Sequence, residues 1–233
     1  MTFARKLSEG VASWLHFEAQ CGRAHLFNEK YLSNPIGQVL TSQYGPKVYA
    51  EVDHPVLTAH TMGRGKRPKI DFAVLDPYPN ISIAVESKWI GKSKVKVEDI
   101  LWDLIRLELI SAIQGATTYF ILGGKHKKLN TLFNSDAFLA PHDNRSPRPI
   151  LNIGEYRSTS LRLDNPPISR INTIRKLVRK YPHVEMPVRI HSGQPSVYPR
   201  TCFQSTYQVY VWKIMAWKNR ETFQTNQHKY YAP

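Results

Sequence analysis

Cysteine, acidic side chains and long apolar runs are all scarce in this chain. Two cysteines, Cys21 and Cys202, occur in 233 residues, far apart and outside any CxxC pair, which argues against a disulfide framework and a structural zinc site. No apolar run approaches the roughly 20 residues of a membrane span, and the N-terminus MTFARKLSEG lacks the apolar core of a signal peptide. Cytoplasmic residence, reduced thiols and no membrane partner are therefore expected. The nine histidines form no HxH or HExxH, the serines have no GxSxG context, and GRGKRPK does not satisfy GxxxxGK[ST]. Zinc hydrolase, serine-triad and P-loop readings lose their support.

The shortage of acid is one-sided. Against 32 Lys+Arg stand 18 Asp+Glu, a net charge of +14, and such an excess points to a polyanionic partner, nucleic acid first. Residues 1–123 hold 14 basic and 12 acidic side chains, whereas residues 124–233 hold 18 and 6. The acids are concentrated in the first half and the attraction for a polyanion in the second.

The first half also carries the clearer pattern of elements. Residues 3–40 read as helical in one or two pieces, with Phe3, Leu7, Val11 and Leu15 at helical spacing and then Leu26, Tyr31 and Leu32 before Pro35. VYAEV (48–52), IDFAVL (70–75) and ISIAVESKWI (81–90) are strand-like, with DPYPN a tight connection between the last two. EDILWDLIRLELISAIQ has helix formers throughout, acids in its first turn and Gly115 after it. TTYFILGG is a strand of the doubly buried kind, so strand, helix and strand form a crossover with parallel strands. Asp99, Asp103 and Arg106 on that helix are read as a solvated or intra-helical charge pattern. Residues 134–167 look irregular, 168–180 form an amphipathic helix with a basic face, and MPVRIHS and YQVYVWKI are late strands. An α/β chain is expected, with residues 1–130 as a core and 131–233 as a basic α/β extension packed on it.

Three charged residues sit inside the strands. Side chains two apart on a strand share a face, so Glu86 and Lys88 point the same way, and the short connection brings Asp71 toward Glu86 from the neighbouring strand. Buried charges are excluded from strands unless something pairs with them. Two close carboxylates repel unless a cation lies between them, and hard oxygen ligands favour Mg²⁺ or Mn²⁺. An ammonium beside such an ion can hold an attacking water or stabilise charge growing on a phosphate. The bland alternative is a surface salt bridge between Glu86 and Lys88, with Asp71 merely near a turn.

An aspartate on one strand, fourteen intervening residues (72–85), and then Glu-Ser-Lys within the next strand, followed by a helix, resembles the PD-(D/E)xK nuclease superfamily, which includes many restriction endonucleases. Glu86-Ser87-Lys88 is the single ExK in the chain. Ile70 stands where that family often has proline. The resemblance spans roughly residues 20–125 and implies a restriction-endonuclease-like αβββαβ core, with a mixed central sheet flanked by helices. It further implies a metal-dependent endonuclease with Asp71, Glu86 and the Ser87 carbonyl as Mg²⁺ or Mn²⁺ ligands and Lys88 as the catalytic lysine. Glu29, ahead of Glu18, matches the glutamate that the family commonly carries on its first core helix. DNA, before RNA, is the implied substrate, in a restriction, phage-defence, repair or recombination setting, with a homodimer or a larger DNA-processing complex as the assembly.

Arg64, Lys66 and Arg67 in the loop before the Asp71 strand, and Arg175, Lys176, Arg179 and Lys180 on the basic helix, are candidate backbone contacts. Two other function classes remain open from the residues alone: a non-catalytic nucleic-acid-binding module of the same fold, and a basic subunit that docks on an acidic protein.

Overall fold

Thr2 caps the first helix, its hydroxyl accepting from the Arg5 N–H, and α1 (Phe3–Gln20) buries Leu7, Val11 and Leu15. Gly22, at φ 76°, lets the chain turn out of it. Asn28 then caps α2 (Glu29–Tyr44), which runs through Pro35. Leu32, Pro35, Ile36 and Leu40 all bury on that face, and this packing outweighs the backbone hydrogen bond that proline cannot make. The computed structural model describes residues 1–60, 67–91, 96–140, 149–154 and 158–232.

Strands β1 (Val48–Asp53), β2 (Lys69–Leu75) and β3 (Ile81–Ile90) form an antiparallel meander. Helix α3 (Val97–Gln114) crosses over to β4 (Thr117–Lys125), which pairs with β3 in parallel. These elements are the ones expected. After β4 come α4 (His126–Phe133), which the sequence reading left unassigned, the four-residue α5 (Asp136–Leu139) and strand β5 (Thr159–Arg162). Helix α6 (Ile168–Val178) precedes β6 (Glu185–Pro187), β7 (Arg189–Ser192), β8 (Ser196–Tyr198), β9 (Tyr207–Met215) and β10 (Thr222–Gln224).

The molecule is α/β, with one mixed eight-stranded sheet flanked by helices. Its order is β1-β2-β3-β4-β9-β7-β5, with β8 also on β9, while β10 and β6 make a separate ribbon. Residues 131–233, expected as an extension packed on the first part, thus supply four strands to the same sheet. Strand β9 pairs with β4 along eight residues and buries Trp212 completely.

Two apolar layers enclose the sheet. On one side α1 and α2 cover Phe72, Val74, Ile83, Val85, Ile121, Val209 and Val211. On the other, α3 covers Ala73, Ala84, Phe120, Leu122 and Trp212, and α6 packs on α3. Helix α3 is buried nearly all round, with Asp103 and Glu108 among its buried residues. Among the described residues no helix is long and apolar enough to cross a membrane.

Candidate active site

The β2–β3 ladder runs from Leu75 opposite Ile81 to Phe72 opposite Val85 and ends there. One step further on, Asp71 stands in for the backbone. Its Oδ2 accepts from both the Ser87 N–H and the Ser87 Oγ–H at 2.8 Å, so the donor left by the parting strands is satisfied by a side chain. Ser87 is therefore held against Asp71. Glu86 turns to the α3 side of the sheet and is 1% exposed. Lys88 lies on the same face, two residues nearer the sheet end.

Helix α3 supplies the groups that meet them. Arg106 Nη2 is 2.8 Å from Glu86 Oε1, and Arg106 Nη1 is 3.3 Å from Asp103 Oδ1, one turn earlier. Lys88 Nζ lies 3.0 Å from Asp103 Oδ2 and 3.0 Å from Glu29 Oε1, at the start of α2. Asp71, Glu86, Ser87, Lys88 and Glu29 thus converge. Glu18 does not join them; it accepts from Arg23 and Tyr31, which hold its carboxyl low, at about 2.

Two residues of this cluster were read only in part from sequence: Asp103 and Arg106 do pair along the helix, at 3.3 Å. Asp103 and Arg106 are not a solvated pattern: Asp103 is 3% exposed, and both face the strand charges. The signal was present in ILWDLIRLELI, because a helix that is apolar all round must bury whatever charges it carries. Glu86 finds a counter-charge within the protein in Arg106, whereas Asp71 meets the Ser87 N–H and Oγ–H. His54 supports the arrangement from behind. It is fully buried, its Nδ1 accepts from the Val56 and Leu57 N–H groups, and its Nε2 meets the Arg106 carbonyl at 3.1 Å. Burial pushes its imidazole down to about 4, so the ring is neutral.

The electrostatics are unbalanced on the acidic side. Burial, then the Asp103 charge, push the Glu86 carboxyl well above the ordinary range, with Arg106 opposing. Burial raises Asp103 to about 6 against the pull of Lys88 and Arg106. Burial alone would lower Lys88, but Asp103 and Glu29 outweigh it, and the ammonium is held charged. Glu86 Oε1 and Asp103 Oδ2 are buried with no aligned hydrogen bond, as are Arg106 Nε and Nη2. Their ion pairs are close in distance and poor in direction.

A hard cation suits such orphaned carboxylate oxygens, and Mg²⁺ commonly takes only one or two protein carboxylates and keeps several waters. Among the described residues no three His, Cys, Asp or Glu side chains are grouped to hold a metal ion. The residues present fit a site of two carboxylates, Asp71 and Glu86, on the condition that Arg106 moves off Glu86.

The other candidates lie apart. Arg64 and Lys66 fall outside the described residues; Arg67 is exposed and pairs with Asp53 at 3.3 Å. On α6, Arg175 Nε donates to the Tyr230 carbonyl, and Arg179 donates to those of Tyr231 and Ala232. These two arginines fasten the C-terminal segment. Lys176 lies 3.6 Å from Glu98 and is largely exposed, as is Lys180. Comparison with protein-family models, with curated proteins and with solved structures gives no match.

Proposed function

We propose that the protein is a metal-dependent nuclease of the PD-(D/E)xK type that hydrolyses phosphodiester bonds, with DNA as substrate. The observation that carries this reading is the meeting of Asp71, Glu86 and Lys88 where β2 and β3 part. The order of helices, three antiparallel strands, crossover helix and parallel strand is similar to that family's core and supports it. Asp71 and Glu86, with the Ser87 carbonyl, would hold Mg²⁺ or Mn²⁺. Such an ion supplies a bound water of lowered pKa and screens the repulsion between the carboxylates. Lys88, held charged by Asp103 and Glu29, orients that water or stabilises the charge developing on the phosphate. Glu29 positions the Lys88 ammonium from the open side.

A second reading is favoured by one contact. Arg106 at 2.8 Å from Glu86 already provides an internal counter-charge, as in a nucleic-acid-binding module that has the fold without the chemistry. Incubating the pure protein with duplex DNA, single-stranded DNA and RNA, with Mg²⁺, with Mn²⁺ and with excess EDTA, separates the two. Cleavage that needs the ion is expected. Undiminished cleavage in chelator removes the metal mechanism, and binding without cleavage in every arm supports the module.

A further inference from the structure

A second unbalanced charge lies on α6, away from the carboxylate cluster, and it is positive. Arg170 is 2% exposed. Its Nη2 donates to the Phe138 carbonyl at 2.6 Å, while Nε and Nη1 have no hydrogen-bond partner. Among the described residues no carboxylate pairs with it, and burial pulls the guanidinium down to about 10. Arginine is seldom buried without a partner, because desolvation penalises the charge and leaves its donors unsatisfied. A retained cation of this kind implies an anion from outside.

Arg170 lines a cavity of about 450 Å³ at the β5 edge of the sheet, together with Arg162, Arg189 and the hydroxyl-bearing Ser158, Thr159 and Ser160. Arg162 and Arg189 are register partners on β5 and β7. Asp164 neutralises Arg162 through two hydrogen bonds, at 2.9 and 2.6 Å, so Arg170 and Arg189 supply the uncompensated charge. The start of α6 adds to it. Pro167 and Asn165 also line the cavity, and the Pro167 N-cap offers no side-chain acceptor to the first-turn N–H groups, which favour an anion at that end of the helix.

We propose that this cavity binds a phosphoryl group, carried either by a mononucleotide or by a nucleic-acid end. Guanidinium groups flanked by hydroxyls and helix N–H donors match a tetrahedral oxyanion, and the volume lies within the range of small-ligand sites. The site does not depend on the nuclease reading, because it shares no residue with the carboxylate cluster.

The test is thermal unfolding of the full chain in EDTA, titrated with inorganic phosphate and compared with NaCl at equal ionic strength. Phosphate is expected to raise Tm by about 5–10 °C at a hundredfold excess over Kd. Arg170→Met keeps the side-chain bulk and removes the unpaired charge; it should melt no lower than the parent without ligand and should lose the phosphate response. Arg189→Ala, at an exposed position, should fold normally and weaken phosphate binding about tenfold. A response to AMP assigns the site to mononucleotides, and a preference for a 5′-phosphorylated over a 5′-hydroxyl oligonucleotide of the same sequence assigns it to nucleic-acid ends. A Tm rise that chloride reproduces, or one that survives in both variants, overturns the proposal.

Discussion

Replacing Arg106 with Met tests what the buried carboxylates require. The substitution keeps most of the aliphatic volume and removes the group 2.8 Å from Glu86 Oε1. Stripping one partner from a buried pair costs about 3–5 kcal/mol when the remaining charge stays ionised, but Glu86 has a way out, since burial and Asp103 already favour its protonated form. Without Arg106 the carboxyl rises further. A carboxyl whose folded value lies above its unfolded value keeps its contribution at low pH and loses it as pH rises past the unfolded value. The loss runs at about 1.4 kcal/mol per pH unit for one proton. From pH 5 to pH 8 the variant's own stability is therefore expected to fall by up to about 4 kcal/mol through this group, or roughly 8–16 °C in Tm for a chain of this size; the parent, whose Glu86 is already raised, shares only the part of that fall below its own lower folded value, so the deficit widens above it. Urea unfolding at pH 5, 6, 7 and 8 measures this directly. Mn²⁺ at pH 8 should restore part of the loss, because Glu86 and Asp103 then lack their guanidinium. A deficit equal at every pH refutes the electrostatic account, and a deficit that Mn²⁺ leaves untouched refutes the cation site.

Lys88→Ala should retain Mn²⁺ binding in calorimetry while turnover falls about 10²- to 10³-fold; a fully active variant sinks the role assigned to the ammonium. Asp71→Asn preserves an acceptor for the Ser87 N–H and Oγ, so it should melt near the parent and lose Mn²⁺ affinity. Asp71→Ala should additionally cost about 1–3 kcal/mol for the buried donor left unsatisfied, and equal melting of the two variants would contradict the bridging role. On α6, Lys176→Ala with Lys180→Ala should leave Tm unchanged and reduce the salt slope of DNA binding by about 2. Arg175→Ala with Arg179→Ala should instead speed hydrogen exchange in residues 228–232, which those arginines fasten; unchanged exchange would show that the fastening is weak.

The carboxylate pair and the lysine were legible because strand alternation is a local rule. Glu86 and Lys88 two apart, and Asp71 across a short connection, specify one face without knowledge of the rest. The α3 partners obeyed a different signal. Asp103 and Arg106 at i, i+3 look like a surface pair when helical spacing alone is considered, and only the apolar residues on every side of them mark them as buried. The place of β9 had no local signal at all. Consecutive strands tend to be neighbours, yet β4 pairs with a strand about 90 residues later in the chain, which carried residues 131–233 into the main sheet. Arg175 and Arg179 made the same point at smaller scale. Their spacing showed a basic helix face, but the carbonyls of Tyr230, Tyr231 and Ala232 that engage it lie some 50 residues away.

Three sets of buried charge in this molecule differ in how well they balance, and the difference separates structure from chemistry. Glu108 is fully buried and meets Arg220 through both oxygens, at 2.9 and 3.2 Å. One anion faces one cation in aligned hydrogen bonds, and nothing is left for a ligand to satisfy. Around Glu86 the acids outnumber the bases: Asp71, Asp103, Glu29 and Glu86 face Lys88 and Arg106, with oxygens that lack aligned donors. Around Arg170 the sign is reversed. Folding alone would favour apolar replacements at both unbalanced places, since a buried charge without aligned partners is weaker than good packing. The two proposals therefore rest on opposite signs: a cation would relieve the excess of carboxylate beside β2 and β3, and a phosphoryl group would relieve the lone guanidinium at the β5 edge.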